Sequence, residues 1–333
     1  MSAGPAGPLR RVVRCGIIAA MKWLAAVVAA LLLAPAVVQA QQPLFTSRID
    51  LVHVGVTVLD RDGNLVTDLT RDDFEVLEDG RPQDVRYLSV GLASDVDDVP
   101  LHLGLLLDMS SSMERNDRFQ KTAAIRFLNT ITYAADMTLV DFDTEVRVGR
   151  YGQEDFGRLI ERIRGRRPEG YTALYDALGV YLDGAFEQDG RKVLVLYTDG
   201  EDTRSRLSIR DARELLRASD VTVYAIGFQG DLRSRARQRQ RMRLGQLTGI
   251  TGGRAYFPHS INAVEGIYQE IVEELDGRYS LGYVSANTRR DGTWRELDVR
   301  LRSGRADLRD ARLRVREGYY ALWNEDEAAS DSR

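Results

Sequence analysis

From Ile49 the chain alternates. Ile49-Asp50-Leu51-Val52-His53-Val54-Gly55-Val56-Thr57-Val58 runs close to a period of two, is rich in β-branched residues, and stops at the turn cluster Asp60-Arg61-Asp62-Gly63-Asn64. This is the pattern of a strand entering a hairpin. Phe74-Glu75-Val76-Leu77-Glu78 and the stretch from Val85 to Val90 repeat it on either side of a second turn, Asp79-Gly80-Arg81-Pro82. Residues 44–95 therefore read as a short all-β segment, too small for a comfortable core of its own. Asp95 to Asp98 make an acidic connector.

The texture changes at Leu101–Leu107, a run apolar at every position except His102 and of the kind a strand needs when both faces of a parallel sheet are covered. Strand-like and helical stretches then alternate: Phe119–Tyr133, Met137–Phe142, Val146–Tyr151, Phe156–Ile163, Ala173–Phe186, Val193–Tyr197, Ile209–Arg217, Val221–Phe228, Met242–Thr248 and Ala263–Leu275. Parallel neighbours need long return connections, so residues 99–276 predict an α/β domain with a doubly wound, mostly parallel sheet. After Leu275 the helical period ends. Tyr279–Val284, Arg295–Leu301 and Ala311–Val315 alternate again, separated by Asp291-Gly292 and Ser303-Gly304, making 277–322 a second β segment. Two β flanks bracketing one α/β domain predict that they pair into a single small β-sandwich. Residues 323–333 are acidic and small-residue rich, which predicts a disordered tail.

Composition adds compartment rather than partner. With 333 residues, 44% of them hydrophobic and 29% charged, the chain suits a large globular domain plus a smaller one, and a net charge of -4 points to no ligand class. Met21-Lys22-Trp23, the aliphatic run from Leu24 to Val38, and Val38-Gln39-Ala40 before Gln41-Gln42-Pro43 form a secretory signal over 1–40. Its apolar run is shorter than the ~20 residues of a spanning helix, so cleavage after Ala40 is expected and no membrane span afterwards. Residues 1–20 are either a long n-region or precede a true start at Met21. Cys15, the single cysteine, lies in that segment, so the mature chain has no thiol chemistry and is expected to be exported, periplasmic or secreted.

Candidate chemistry sits just past the first buried strand. Asp108-Met109-Ser110-Ser111-Ser112 carries one carboxylate and several hydroxyls into the next helix, and alternate residues of an extended loop, Asp108, Ser110 and Ser112, can converge. Oxygen-only ligands suit a hard divalent cation, Mg²⁺ or Mn²⁺, over zinc. Gly170-Tyr171-Thr172-Ala173 puts a hydroxyl at a helix start, and Val193–Tyr197 runs on into Thr198-Asp199-Gly200. Both lie where such a sheet binds ligands, at the carboxyl ends of its strands. Taken singly, each has an ordinary alternative: Asp108, Ser110 and Thr172 as helix caps, Asp199-Gly200 as a turn.

Taken together, Asp108-x-Ser110-x-Ser112, then Thr172, then Asp199 resemble the von Willebrand factor type A domain family and its metal-ion-dependent adhesion site, in order, spacing and context. The likeness covers about half the chain. The flank from Asp62-Gly63-Asn64 through Asp72-Asp73-Phe74 to Asp79-Gly80 is similar, less specifically, to exported bacterial proteins built around this domain. The resemblance implies that Ser110, Ser112 and Thr172 offer hydroxyl oxygens to the metal while Asp108 and Asp199 balance its charge, largely through water. It implies that a Glu or Asp carboxylate of a protein partner completes the coordination, and that the last helix, Ala263–Leu275, moves on occupancy. Hydroxyls donate little charge, so such a cation stays electrophilic enough to seek an acid.

Other signals are weaker. Asp141, Asp143, Glu201 and Asp202 end strands or continue loops, and read as solvated carboxylates more readily than as tuners of a cation. Leu232 to Arg243 is strongly basic, yet it lacks aromatics for base stacking, and arginine at every second position spreads around a helix; a solvated insertion is expected, not a nucleic-acid site. His53, His102 and His259 are scattered, which disfavours zinc or a His-based triad. No Gly-x-Ser-x-Gly elbow surrounds Ser110 to Ser112, and Asp-Met-Ser departs from the paired-aspartate loop of metal-dependent phosphatases. A metal-dependent hydrolase and a structural envelope component remain the alternatives to a non-catalytic protein-binding module.

Overall fold

The computed structural model describes residues 51–91, 100–131, 133–229, 232–302, 305 and 308–323. The signal segment, Cys15, the acidic connector Asp95–Asp98, the Ser303-Gly304 turn and residues 324–333 of the tail lie outside the described residues, while Trp323, assigned to that tail, forms an antiparallel β-bridge with Asp291. Among the described residues no helix is long and apolar enough to cross a membrane.

Six strands form the central sheet: β5 (Leu101–Asp108), β6 (Asp136–Phe142), β7 (Val146–Gly152), β8 (Arg191–Thr198), β9 (Thr222–Gly227) and β10 (Ala255–Tyr256), in the order β10-β9-β8-β5-β6-β7. All neighbours are parallel except β6 and β7, a local hairpin that closes one edge. Every residue of β5 is buried, including His102, which interrupts the apolar run and whose ring nitrogens lie 3.0 Å from Asp136 Oδ2 and 2.8 Å from the Asp189 carbonyl oxygen. Its side chains split between two cores. Leu103, Leu105 and Leu107 face α1 (Asp117–Thr130), α2 (Phe156–Gly165) and α6 (Ile261–Gly277); Leu106 faces α3 (Leu174–Phe186), α4 (Ile209–Ala218) and α5 (Ser234–Ile250). Gly104 lies on that second side, where a β-carbon would stand 2.3 Å from the Tyr181 ring.

The flanks interleave. β1 (Leu51–Leu59) pairs antiparallel with β11 (Tyr279–Val284) and with β13 (Arg312–Val315), and β4 (Val85–Val90) adds to β11. β2 (Phe74–Glu78) pairs with β3 (Arg81–Gln83) and with β12 (Trp294–Leu301), which carries β14 (Gly318–Tyr320) on its other edge. Two four-stranded antiparallel sheets result, each built from both ends of the chain and sharing one core of Val54, Val56, Phe74, Val76, Tyr279, Leu281, Leu297 and Val299. The flanking β-sandwich is therefore present. The hairpin expected at Asp60–Asn64 shrinks to a single bridge, Leu59↔Leu65, because β1 takes both of its ladder partners from the other end of the chain. Asp79-Gly80 does make a tight hairpin: φ is +48° and +74°, the two positive values a type I′ turn needs.

A second difference concerns the arginine run. Residues 234–250 form one continuous 17-residue helix where only 242–248 read as helical. Arginine is a good helix former, and Gln240, Leu244 and Leu247 supply a buried face that extends into the basic stretch.

Candidate metal centre

β5 carries Asp108 to the carboxyl edge of the sheet with no exposure at all. Its Oδ1 accepts from the Ser110 amide at 3.0 Å and the Ser110 hydroxyl at 2.5 Å, and its Oδ2 from the Thr198 hydroxyl at 2.6 Å. The hydroxyls of Ser110 and Ser112 are 3.0 Å apart. Ser110 heads a 3₁₀ helix, Ser111–Asn116, yet its side chain makes no capping bond there; the hydroxyl turns back to the carboxylate instead. Convergence of Ser110 and Ser112 thus comes from a tight 3₁₀ turn rather than an extended loop, because Ser111 and Ser112 already belong to that helix.

Asp199 follows the neighbouring strand β8. Its Oδ1 accepts from the Glu201 amide at 3.0 Å and Gly200 has φ +82°, so the turn expected at Asp199-Gly200 is present in the backbone. The side chain nevertheless stays 6% exposed beside Asp108. Burial first, then the charge of Asp199, push the Asp108 carboxyl up to about 7, against the opposing hydrogen bonds from Ser110 and Thr198.

Thr172 is buried at 4% exposure, in a loop bonded to that of Asp108. The Glu169 amide donates to the Met109 carbonyl at 2.8 Å and the Ser111 amide to the Gly170 carbonyl at 3.2 Å, stitching this loop onto that of Asp108. Behind it, the Tyr171 amide donates to Thr144 Oγ1 at 2.9 Å. Gly170 sits at φ +70°, and a β-carbon there would lie 2.3 Å from the same oxygen. Helix α3 begins after Thr172, with Ala173 at its N-cap and no side-chain cap. Its first amides go to Ser205 Oγ, 3.0 Å from the Tyr175 amide, and to Asp202 Oδ1 at 3.3 Å. The capping alternative for Thr172 is therefore not what the fold uses.

Asp141 and Asp143 correct the expectation of solvated loop carboxylates: both are buried, at 1% and 2% exposure. Arg162 binds Asp141 at 2.5 Å, Arg166 spans Asp141 at 3.1 Å and Asp143 at 2.8 Å, and Arg147 binds Asp143 at 2.9 Å. Two carboxylates can be buried only because three guanidinium groups converge on them. The cluster braces the site, since the Asp143 carbonyl accepts from the Ala173 amide at 2.9 Å and Thr144 holds Tyr171. Of the loop acids, Glu201 is exposed as expected, while Asp202 is engaged in the helix cap above.

Two supporting residues escaped the sequence reading. Thr198 ties the Asp108 carboxylate to the Asp199 turn by accepting from the Gly200 amide at 3.0 Å, and buried Gln120 of α1 donates to the Asp108 carbonyl at 2.7 Å. A hydroxyl directly before Asp199 and a polar residue on the apolar face of α1 were the available signals. Among the described residues no group of three or more His, Cys, Asp or Glu side chains could hold a metal ion. A divalent cation held here would rest on two carboxylates and on hydroxyls. That set fits a hard cation, which would neutralise two buried acids that otherwise repel.

Three solved structures share features of this fold. Protein BatB of Bacteroides thetaiotaomicron is 15% identical, with 52% of this chain and 98% of that chain covered at a TM-score of 0.41. The vWF domain of the type V pili tip protein Mfa5 of Porphyromonas gingivalis is 15% identical over 53% and 96%, at 0.43. The PilB minor pilin of Streptococcus sanguinis is 16% identical over 56% and 63%, at 0.43. Among curated proteins no relative matches. Residues 102–270, just over half of the 333, match the von Willebrand factor type A domain. The chain belongs to the von Willebrand factor type A domain family.

Proposed function

We propose that this protein is an exported, non-catalytic module that binds a protein partner through a Mg²⁺ or Mn²⁺ ion held by Asp108, Ser110, Ser112, Thr172 and Asp199, with the α/β domain over 99–276 carried between the β segments 44–95 and 277–322. The observation that carries this reading is the pairing of two buried acids, Asp108 and Asp199, on adjacent strand ends, with the Ser110 and Ser112 hydroxyls gathered beside them. Bound there, the cation would supply an electrophilic position for a Glu or Asp of the partner. Supporting it, Asp108 orients Ser110, Thr198 fixes Asp108, and the loop before Thr172 is bonded to that of Asp108, so that Thr172 would join the same rim. Export rests on the signal pattern from Met21 to Ala40 and on a following chain without cysteine.

The test is thermal unfolding of the purified protein in Mg²⁺, in Mn²⁺ and in chelator. At a hundredfold excess over Kd a bound ion stabilises by ~2.7 kcal/mol, which raises the midpoint by about 5–10 °C. Ser110→Ala and Asp199→Ala should abolish that rise while leaving the fold intact. A pull-down from envelope extract with Mg²⁺ or chelator then separates the alternatives. Partner capture only in Mg²⁺ supports the binding module, turnover lost in the same variants would favour a metallohydrolase, and indifference to both would leave a structural component.

A further inference from the structure

Helix α5 follows β9 at the carboxyl edge of the sheet, so its arginine-bearing first half lies beside the Asp199 loop. Gly200 packs against it, where a β-carbon would stand 3.1 Å from Gln240 Cγ, and Arg243 Nη1 donates to the Gly200 carbonyl at 2.5 Å. Arg233, Arg235, Arg237, Arg239 and Arg241 are exposed; Arg243 is half-buried. Arg237 donates to the Leu232 carbonyl at 2.7 Å, and Arg241 to Gln229 Oε1 at 3.1 Å while lying 4.8 Å over the Phe257 ring. Among the described residues none of the six is ion-paired, and residues 232–250 contain no acid. The acids of the adjoining loop are Glu201, exposed, and Asp202, bound to Ser205 at 2.5 Å.

Spacing by two places Arg235, Arg239 and Arg243 in one row at intervals of four. A helix rises 1.5 Å per residue, so the row runs about 12 Å outward from the Asp199 loop, the reach of about four residues of extended chain. Bases stack on aromatics and none interleaves here, so a flexible carboxylate chain matches this row better than a nucleic acid.

We propose that the first half of α5 is a docking row for an acidic segment of the protein partner. The ligand would then be a peptide with several carboxylates, one at the ion and others along Arg239 and Arg235. The proposal rests on the metal-dependent reading above and extends it from a single acidic side chain to an acidic stretch.

The probes are two labelled peptides of about ten residues, one all glutamate and one of glycine and serine with a single central glutamate, long enough to cover the row. Their binding is followed by fluorescence anisotropy in Mg²⁺. The glutamate peptide should bind about tenfold more tightly at low salt, and the advantage should fade as salt shortens the Debye length. In Arg235→Gln/Arg239→Gln, with its thermal midpoint as in the wild type, the ratio between the peptides should collapse toward one. An unchanged ratio in that variant overturns the proposal, as does equally tight binding of a single-stranded DNA of the same charge. Arginine-dependent binding that is identical in chelator would leave the docking row standing and remove the metal from the reading. Mg²⁺-dependent binding lost in Ser110→Ala, with both peptides equal in the wild type, would do the reverse.

Discussion

Asp108 concentrates the energetics of the rim. A carboxyl held at about 7 in the fold and near 3.8 when unfolded takes up its proton more readily folded, so the metal-free protein loses stability as pH rises from about 4 to about 7. Three pKa units correspond to at most about 4 kcal/mol. In chelator the thermal midpoint should therefore be higher at pH 5 than at pH 8, and Asp108→Asn should flatten that profile and remove the response to Mg²⁺. A wild-type profile as flat as the variant's would show that Asp108 carries no such charge penalty. Asp141 differs from Asp108 in having cationic partners within the fold. Asp141→Ala removes the carboxylate shared by Arg162 and Arg166 and should cost about 3 kcal/mol, read by urea unfolding at neutral pH.

At the scale of elements, the site is a meeting of loops rather than of helices. The Asp108 turn, the Thr144 bend, the Gly170 loop and the segment 202–205 bond to one another around Thr172, whose carbonyl accepts from the Thr203 and Arg204 amides, both at 2.9 Å. Gly170→Ala forces a side chain into a left-handed conformation and onto Thr144 Oγ1. It should cost about 1–2 kcal/mol and weaken Mg²⁺ affinity at least as much as stability. A stability loss with unchanged metal-induced stabilisation would show that the Thr172 loop does not report on the ion. Helix α6 ends at the other pole. Glu274, buried near its end, accepts from Thr57 of β1 at 3.1 Å and from Arg314 of β13 at 2.7 Å, and the chain runs directly on into β11. If α6 responds to occupancy, hydrogen exchange should change in β1 and β13 as well as in the helix when Mg²⁺ is added. Identical protection throughout would count against that coupling.

At the scale of the molecule, the sandwich depends on both ends of the chain. β11 lies between β1 and β4, and β12 between β2 and β14, so the segment before the α/β domain cannot bury its apolar face without the segment after it. A chain ending at Gly277 should leave Val54, Val56 and Val58 without Tyr279, Leu281 and Tyr283. Limited proteolysis should then cut within 51–91 while 100–277 resists; equal resistance of both parts would contradict this dependence.

Local pattern was enough to reveal the succession of strands and helices, the mostly parallel sheet and the ordered series Asp108, Ser110, Ser112, Thr172 and Asp199. Periodicity and loop chemistry are written over a few neighbouring residues, and β5 announces its two-sided burial in the run Leu103–Leu107, apolar at every position. What lay beyond that reach were contacts between distant positions. Whether Asp141 is solvated or buried depends on Arg162 and Arg166, more than twenty positions away, and whether β1 closes a hairpin depends on strands over two hundred residues downstream. Thr198 and Gln120 look like ordinary polar residues until the sheet brings them against Asp108. Chain order alone dictates which side chains stand at the strand ends. Which of them come to share a low-dielectric rim is settled by folding, because charge pairing and burial are set by packing across the whole sheet.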